Sequence, residues 1–349
     1  MSRHFRLICI TLIISVITLN CCTPTKTSVT SSNTFLDEYN IIILVADGVG
    51  NCYYVIEEYL EGFGANITTV GLYKTIRTCN NKGEAKYLTA NITISEINEI
   101  TDYDAIVVPS GGYWGSMMRQ TQVKDLISHA YKEGLIIASF CVGTVILAVA
   151  DILDGINVLS HENVNEDVIE SGANIITDAT TISDSRIITA DKGGGLAGGG
   201  YNAAPIYEFC LAIAKALLGY SYIKNTDVQS LGEGKYSIDV ETQTPNLPID
   251  DYNPEIDVIS ASSYDISKEE SYGETIILTE DEENIYTGEL EIQEDGKYTL
   301  NLEVKDTVGN LEIIRDISTI TIGNPVPAWE FLILLLSLFV FSNLGKRKF

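Results

Sequence analysis

A flavodoxin-like α/β fold, a mostly parallel sheet with helices on both faces, is predicted for residues 40–221, followed by a small Ig-like β-sandwich over residues 255–323. Three observations predict it. Short continuous apolar runs recur, such as Ile41 to Val45 and Leu135 to Ile137, and such runs mark strands buried on both faces. Segments with helical apolar spacing alternate with them and end at glycines such as Gly64 and Gly134. Beyond about residue 222 the period falls to two, so that Tyr298, Leu300, Leu302 and Val304 share one face.

In order, Asn40 to Ala46 reads as a first buried strand, and Asn51 to Phe63 as a helix with Val55, Ile56, Leu60 and Phe63 on its apolar stripe. Strands follow at Asn66 to Leu72 and Tyr103 to Val108. Val123 to Lys132 is a helix, Leu135 to Ser139 a strand, and Val142 to Ala150 a second helix. Short strands at Asn174 to Ile176 and Arg186 to Ala190 lead to a last helix from Pro205 to Leu218. Residues 222–254 read as a connecting segment, with its linker between Pro245 and Pro254. Thr275 to Leu278, Tyr286 to Ile292 and Ile313 to Ile322 join the alternating strand in the sandwich.

The chain has 349 residues, 45% of them apolar, and a formal net charge of −26. That balance supports a sizeable core and excludes a phosphate-binding face, so no nucleic-acid partner is expected. Residues 1–22 combine Arg3, His4 and Arg6 with an apolar run from Leu7 to Leu19, the pattern of a signal peptide or signal anchor. Cys21 or Cys22 offers a lipidation site, against which Asn20 counts, and residues 23–39 are a Ser/Thr-rich linker. Ala328 to Leu344 is an apolar stretch of 17 residues followed by the basic tail 345–349. It reads as a single transmembrane anchor, which places the main domains outside the cytoplasm.

The chemistry concentrates where a buried strand runs through Ser139, Phe140 and Cys141 straight into a helix at Val142 and Gly143. This is the pattern of a nucleophile elbow, which presents a sulfur above a sheet at a helix N-terminus. A buried structural cysteine is the plain alternative. Pro109-Ser110-Gly111-Gly112-Tyr113-Trp114 follows the preceding strand, and the N–H groups of Gly112 and Val142 could form an oxyanion hole. A tight turn is the alternative there. Gly111, Tyr113, Trp114 and Asp47 are expected to line the substrate pocket. Of the other cysteines, Cys210 sits in an apolar helix as a buried small hydrophobe, and Cys52 with Cys79 could form a disulfide. No CxxC or Cys/His spacing suggests a metal, and the glycine-rich stretch 191–200 lacks a P-loop ending, so no metal or cofactor is expected. That stretch reads as a loop near the site.

Residues 40–220 resemble the ThiJ/PfpI family, within the class I glutamine amidotransferase-like superfamily. The likeness rests on Ala46-Asp47-Gly48, the Pro109–Gly112 turn, the Cys141 elbow and the helix Tyr207 to Ile213. It implies one of several activities, among them peptidase, glyoxalase or deglycase-like, hydratase and chaperone roles, and it suggests a homodimer. One branch of the family places a histidine about twenty residues after the cysteine, and His161, after Leu153-Asp154-Gly155, fits it as the proton-transfer partner. The family's glutamates after the first strand are replaced here by Gly50 and Tyr53. Two functions follow: a cysteine-nucleophile enzyme acting on a carbonyl of a small metabolite or peptide, or a non-catalytic binding or redox-sensing module. A surface protein whose β region supplies the function is a third.

Overall fold

The structure, a computed structural model, describes residues 34–79, 87–112, 114–191, 203–244, 247–249, 254–266 and 272–322. The first half alternates as the apolar runs require. Strand β1 (Asn40–Val45) leads to helix α1 (Cys52–Gly62), strand β2 (Asn66–Gly71), a small hairpin of β3 (Thr75–Arg77) and β4 (Tyr87–Thr89), and β5 (Ile92–Thr93). Then come β6 (Ala105–Val108), α2 (Trp114–Met117), α3 (Thr121–Lys132), β7 (Ile136–Phe140) and α4 (Thr144–Val149). β8 (Asn157–Val158), α5 (Asn165–Glu170), β9 (Asn174–Ile175), β10 (Thr181–Asp184), β11 (Ile187–Ala190) and α6 (Ala203–Leu218) complete it.

β1 is buried from Ile41 to Val45 because it has parallel neighbours on both sides, β2 and β6. α1 turns Cys52, Tyr53, Ile56 and Leu60 inward, and α3 turns in Val123, Leu126, Ile127 and Ala130. The core of this half gathers those side chains with Phe140, Phe209 and Ile213, and the Phe140 and Phe209 rings meet edge-on at 5.6 Å.

The second half contains β12 (Ile223–Gly232), β13 (Lys235–Thr242), β14 (Ile256–Asp265), β15 (Tyr272–Ile277), β16 (Thr279–Glu282), β17 (Ile285–Glu291), β18 (Gly296–Asp306) and β19 (Asn310–Ile322). The alternating face is present: Tyr298, Leu300, Leu302 and Val304 are buried with Ile238, Val240 and Leu290 in a second core. Its organisation differs from the expected one. A single 11-stranded sheet runs β15-β14-β18-β19-β10-β11-β7-β6-β1-β2-β5, joined where β19 pairs in parallel with β10, from Thr181↔Asn310 to Asp184↔Ile313. The second layer is the sheet β12-β13-β17-β16. One layer of the sandwich is therefore the continuation of the α/β sheet, not part of a separate Ig-like domain. Residues expected to be a connecting segment supply β12 and β13, and all described residues fall in one compact unit.

The expected C-terminal transmembrane helix, and the membrane localisation built on it, are not upheld. Among the described residues no helix is long and apolar enough to cross a membrane. The apolar helix α6 is used in the core, where Ile206, Phe209, Cys210 and Ile213 are buried. Residues 328–344 and the signal segment 1–22 lie outside the described residues.

Candidate functional site

The site is built at the C-terminal ends of three adjacent parallel strands. β7 pairs with β6 so that Ser139 lies beside Val108, and with β11 so that Phe140 lies beside Ala190. Continuing each strand past these pairs puts Ser110, Cys141 and Asp191 in one row. The chain turns sharply at the middle of that row. Cys141 has φ 61°, a left-handed conformation, and opens a 3-10 turn, Cys141–Gly143, that leads into α4. For a non-glycine residue this conformation costs roughly 1–2 kcal/mol, and residues held so tend to mark functional sites. The elbow is real.

Gly143 makes it possible, because a Cβ there would lie 2.5 Å from Val108 O and 3.1 Å from Pro109 O. Both clashing atoms are backbone, which cannot swing aside. Gly143→Ala should therefore lose about 1–3 kcal/mol of stability, read as a lower midpoint in urea. An unchanged midpoint would mean that β6 and the elbow are not in close contact.

The thiol is enclosed. Cys141 is 0% exposed, and burial pushes its pKa up to about 11. The Ser110 hydroxyl and the Val142 N–H pull it down, while the charge of Asp191, which also accepts the S–H, pushes it further up. The expected stabilisation of thiolate by a helix N-terminus is thus outweighed by desolvation. Only a 3-10 turn and the six residues of α4 follow the sulfur.

A second thiol backs the first. Cys52, the first residue of α1, accepts the Ser110 N–H at 3.2 Å and donates to Ser110 O at 3.4 Å. Burial pushes its pKa up to about 12, and the nearby Cys141 adds to the shift. Ser110 therefore holds Cys52 through its backbone and faces Cys141 through its side chain. Cys79 donates to Gly48 O at 2.7 Å, and Cys210 is sealed against α1. All four of these cysteines are free thiols, so the Cys52–Cys79 disulfide considered from the sequence is not formed.

The other expected residues divide. Gly112 N–H donates to Gly48 O at 2.8 Å, and the Val142 N–H serves the Cys141 sulfur. The two are not assembled as an oxyanion hole here, because the Gly112 N–H is already held by Gly48 O. Gly111 is buried and forms an isolated bridge with Val49. Asp47 accepts the Arg77 N–H at 2.8 Å and shapes its own turn. Trp114 begins α2, and Tyr113 lies outside the described residues. His161 is 4% exposed and caps the next 3-10 turn, its Nδ1 accepting the Asn163 N–H at 3.1 Å. That bond leaves the proton of the neutral ring on Nε2. The groups with the largest influence on Cys141 are Ser110, Asp191 and Val142, not His161.

Asp191 is the residue that sequence reading passed over, as the first residue of a glycine-rich loop. The available signal was its place directly after a strand next to the elbow strand, where open α/β sheets collect their ligand groups. It supplies a carboxylate from the opposite side to the one vacated at Gly50 and Tyr53. The Tyr53 hydroxyl is engaged elsewhere, by Thr69 at 2.7 Å and by Glu57. Among the described residues no group of His, Cys, Asp and Glu side chains is arranged to hold a metal ion. A cavity of about 690 Å³ lies at the other end of the sheet, between α6 and β19, with Ile136, Lys215, Tyr222 and Glu312 in its wall.

A parallel sheet with a strained cysteine at the strand-to-helix turn defines the class: an α/β elbow-thiol domain. Residues 39–197 match the model of the DJ-1/PfpI family. Protein DJ-1 homolog D of Arabidopsis thaliana is 28% identical over 174 residues, 49% of this chain and 42% of that protein. The chain thus spans less than half of that relative's length. Among solved structures, a ThiJ/PfpI domain protein from Brachyspira murdochii is 20% identical with a TM-score of 0.45, covering 52% of this chain and 98% of that one. Drosophila melanogaster DJ-1beta is 20% identical with a TM-score of 0.44, covering 52% and 91%. The match to the DJ-1/PfpI family is thus confined to residues 39–197, the α/β part of the chain.

Proposed function

We propose that this protein is a cysteine-dependent enzyme whose Cys141 adds to the carbonyl of a small metabolite or peptide. The observation that carries the reading is the strained elbow that sets Cys141 in one row with Asp191, the carboxylate whose charge raises the thiol. With the thiol raised to about 11, a free thiolate is scarce at neutral pH, so the proton must leave as the sulfur attacks. In that step the S–C bond forms, the carbonyl π pair moves to oxygen, and the thiol proton passes to Asp191. The same proton then neutralises the oxyanion, giving a thiohemiacetal. Ser110 Oγ, a buried hydroxyl with no hydrogen-bond partner of its own among the described residues, and the Val142 N–H are the donors available to the oxyanion. His161, buried and with its proton on Nε2, is the second proton-transfer group.

A non-catalytic binding or redox-sensing module is the second reading. The engagement of Gly112 N–H by Gly48 O favours it, since an acyl- or carbonyl-transfer site needs that donor directed at substrate.

Wild-type protein and Cys141→Ala, incubated with a panel of short aldehydes, separate the two. Consumption by wild type that Cys141→Ala loses is the expected result. Equal consumption by both, or a Cys141 that neither aldehyde nor iodoacetamide reaches in the folded protein, would overturn the enzyme reading.

A further inference from the structure

The β-rich half is chemically connected to the segment that carries His161. Arg315, on β19, grips Asp184 with a bidentate fork: Nε to Oδ1 and Nη2 to Oδ2, both at 2.6 Å. Nη2 also donates to Gly155 O at 2.7 Å. Asp184 ends β10 and is 0% exposed. Its Oδ2 accepts both the Asn157 N–H at 2.8 Å and the Asn157 Nδ2 at 3.0 Å. Asn157 begins β8, and His161 lies four residues on.

The far end of the same segment is pinned by different groups. Leu159 N–H donates to Thr189 Oγ1 at 2.8 Å, and Leu159 O accepts Thr144 Oγ1 at 3.0 Å. Thr144 Oγ1 lies 2.9 Å from Ser139 Oγ, on the elbow strand itself. Residues 155–159 are therefore suspended between β19 at one end and the Cys141 elbow at the other.

A sheet joint does not need such a group. Apolar side chains would hold β10 against β19 at least as well, because burying a charge pair costs desolvation that its attraction only partly returns. What a bidentate guanidinium adds is direction: it fixes both carboxylate oxygens in one plane. With Asp184 so fixed, Oδ2 can receive the Asn157 N–H only when β8 is in one place.

We propose that Arg315 is a positioning residue for the His161 segment, acting through Asp184 and Asn157, so that the β-rich half sets the geometry of the thiol site. Its importance for activity rests on the function proposed above. The connection itself does not.

The test uses the full chain with Arg315→Gln, Arg315→Lys and, as a control, Lys305→Ala. Lys305 pairs with Asp178 at 3.0 Å, another ion pair between the two halves, but outside the path to His161. Hydrogen exchange of the amides in 155–164 is the first readout. Arg315→Gln should speed it by about tenfold or more, relative to the amides of β1 and β6 in the same molecule. Arg315→Lys should fall between wild type and Arg315→Gln, and Lys305→Ala should match wild type. No change in 155–164, or a rise shared equally by β1 and β6, overturns the proposal. Should Arg315→Gln fail to fold, Arg315→Lys decides alone: it keeps the charge and loses the fork, so faster exchange confined to 155–164 supports positioning and none refutes it. The second readout is the pH profile of Cys141-dependent aldehyde consumption, which Arg315→Lys should shift and Lys305→Ala should not. If Cys141→Ala retains full activity, the enzyme reading fails while the exchange result still stands.

Discussion

Asp191→Asn should make Cys141 more reactive and the protein less active. The carboxylate raises the thiol pKa in two ways, by its charge and by accepting the S–H. An amide removes the charge, so the pKa falls toward the ordinary value of 9.0. Each unit of fall gives about ten times more thiolate, but a less basic sulfur is a weaker nucleophile, with a Brønsted slope of about 0.4–0.5. The net gain against a small disulfide reagent at pH 8 is then about threefold per unit. Turnover of a carbonyl substrate moves the other way. It loses the group that takes the proton, a loss of about 10²–10⁴ for general base catalysis. Labelling rate and turnover measured on one preparation give the two answers together. If both fall, Asp191 only supports the local structure. If labelling rises and turnover is untouched, Asp191 tunes the thiol without serving as its base, and the redox or binding reading gains.

The parts of this molecule that were legible in its sequence are those whose partners are all of one kind. β1, β6 and β7 are surrounded by apolar neighbours, so Ile41 to Val45, Ala105 to Val108 and Ile136 to Ala138 announce themselves as unbroken apolar runs. The elbow was legible for a related reason: only small residues fit where Gly143 passes Val108 O. β10 was not legible. Thr181 to Asp184 are not among the strands expected from the sequence, yet Thr181 and Asp184 are buried. Their polarity is satisfied by Asn310, through Thr181 Oγ1 at 2.7 Å, and by Arg315. Those partners lie about 130 positions away, beyond any local pattern. Missing β10 concealed the joint with β19, and with it the continuity of the sheet, which is why the β region looked like a separate domain. The state of the site was hidden in the same manner. Nothing in Pro109-Ser110-Gly111-Gly112 reveals that Gly112 N–H is already held by Gly48 O, and nothing around Cys141 reveals Asp191 as the residue beside it.

Stability should fall steeply once the pH passes 9, and the buried thiols should cause it. In the unfolded chain a thiol titrates near its ordinary value of 9.0, whereas the folded values are about 11 for Cys141 and about 12 for Cys52. Cys210, sealed in α6, is also raised by burial. Below pH 8 every one of these sulfurs is protonated in both states and contributes no pH dependence. Between pH 9 and 10 the unfolded chain releases protons that the native protein keeps, so the native state binds more protons and unfolding becomes easier as pH rises. Each thiol can contribute up to about 1.4 kcal/mol per pH unit there, and the three together up to about 4 kcal/mol. Urea midpoints taken at pH 8.0, 9.0, 9.5 and 10.0 should therefore trace a steepening decline. Substituting Cys52 and Cys141 together by alanine will lower stability at every pH by opening space in the core, so the slope is the informative quantity. It should drop to about a third of the wild-type slope, the share left to Cys210. The tyrosines whose values burial also raises, Tyr53 among them, ionise in the unfolded chain only near 10.0, so they steepen the decline toward pH 10 and the two slopes are compared between pH 8.0 and 9.5. A slope that survives the double substitution intact would mean that water reaches both sulfurs in the native protein. The Cys141 thiol would then ionise without help from Asp191, and the need for a proton acceptor in the first chemical step would disappear with it.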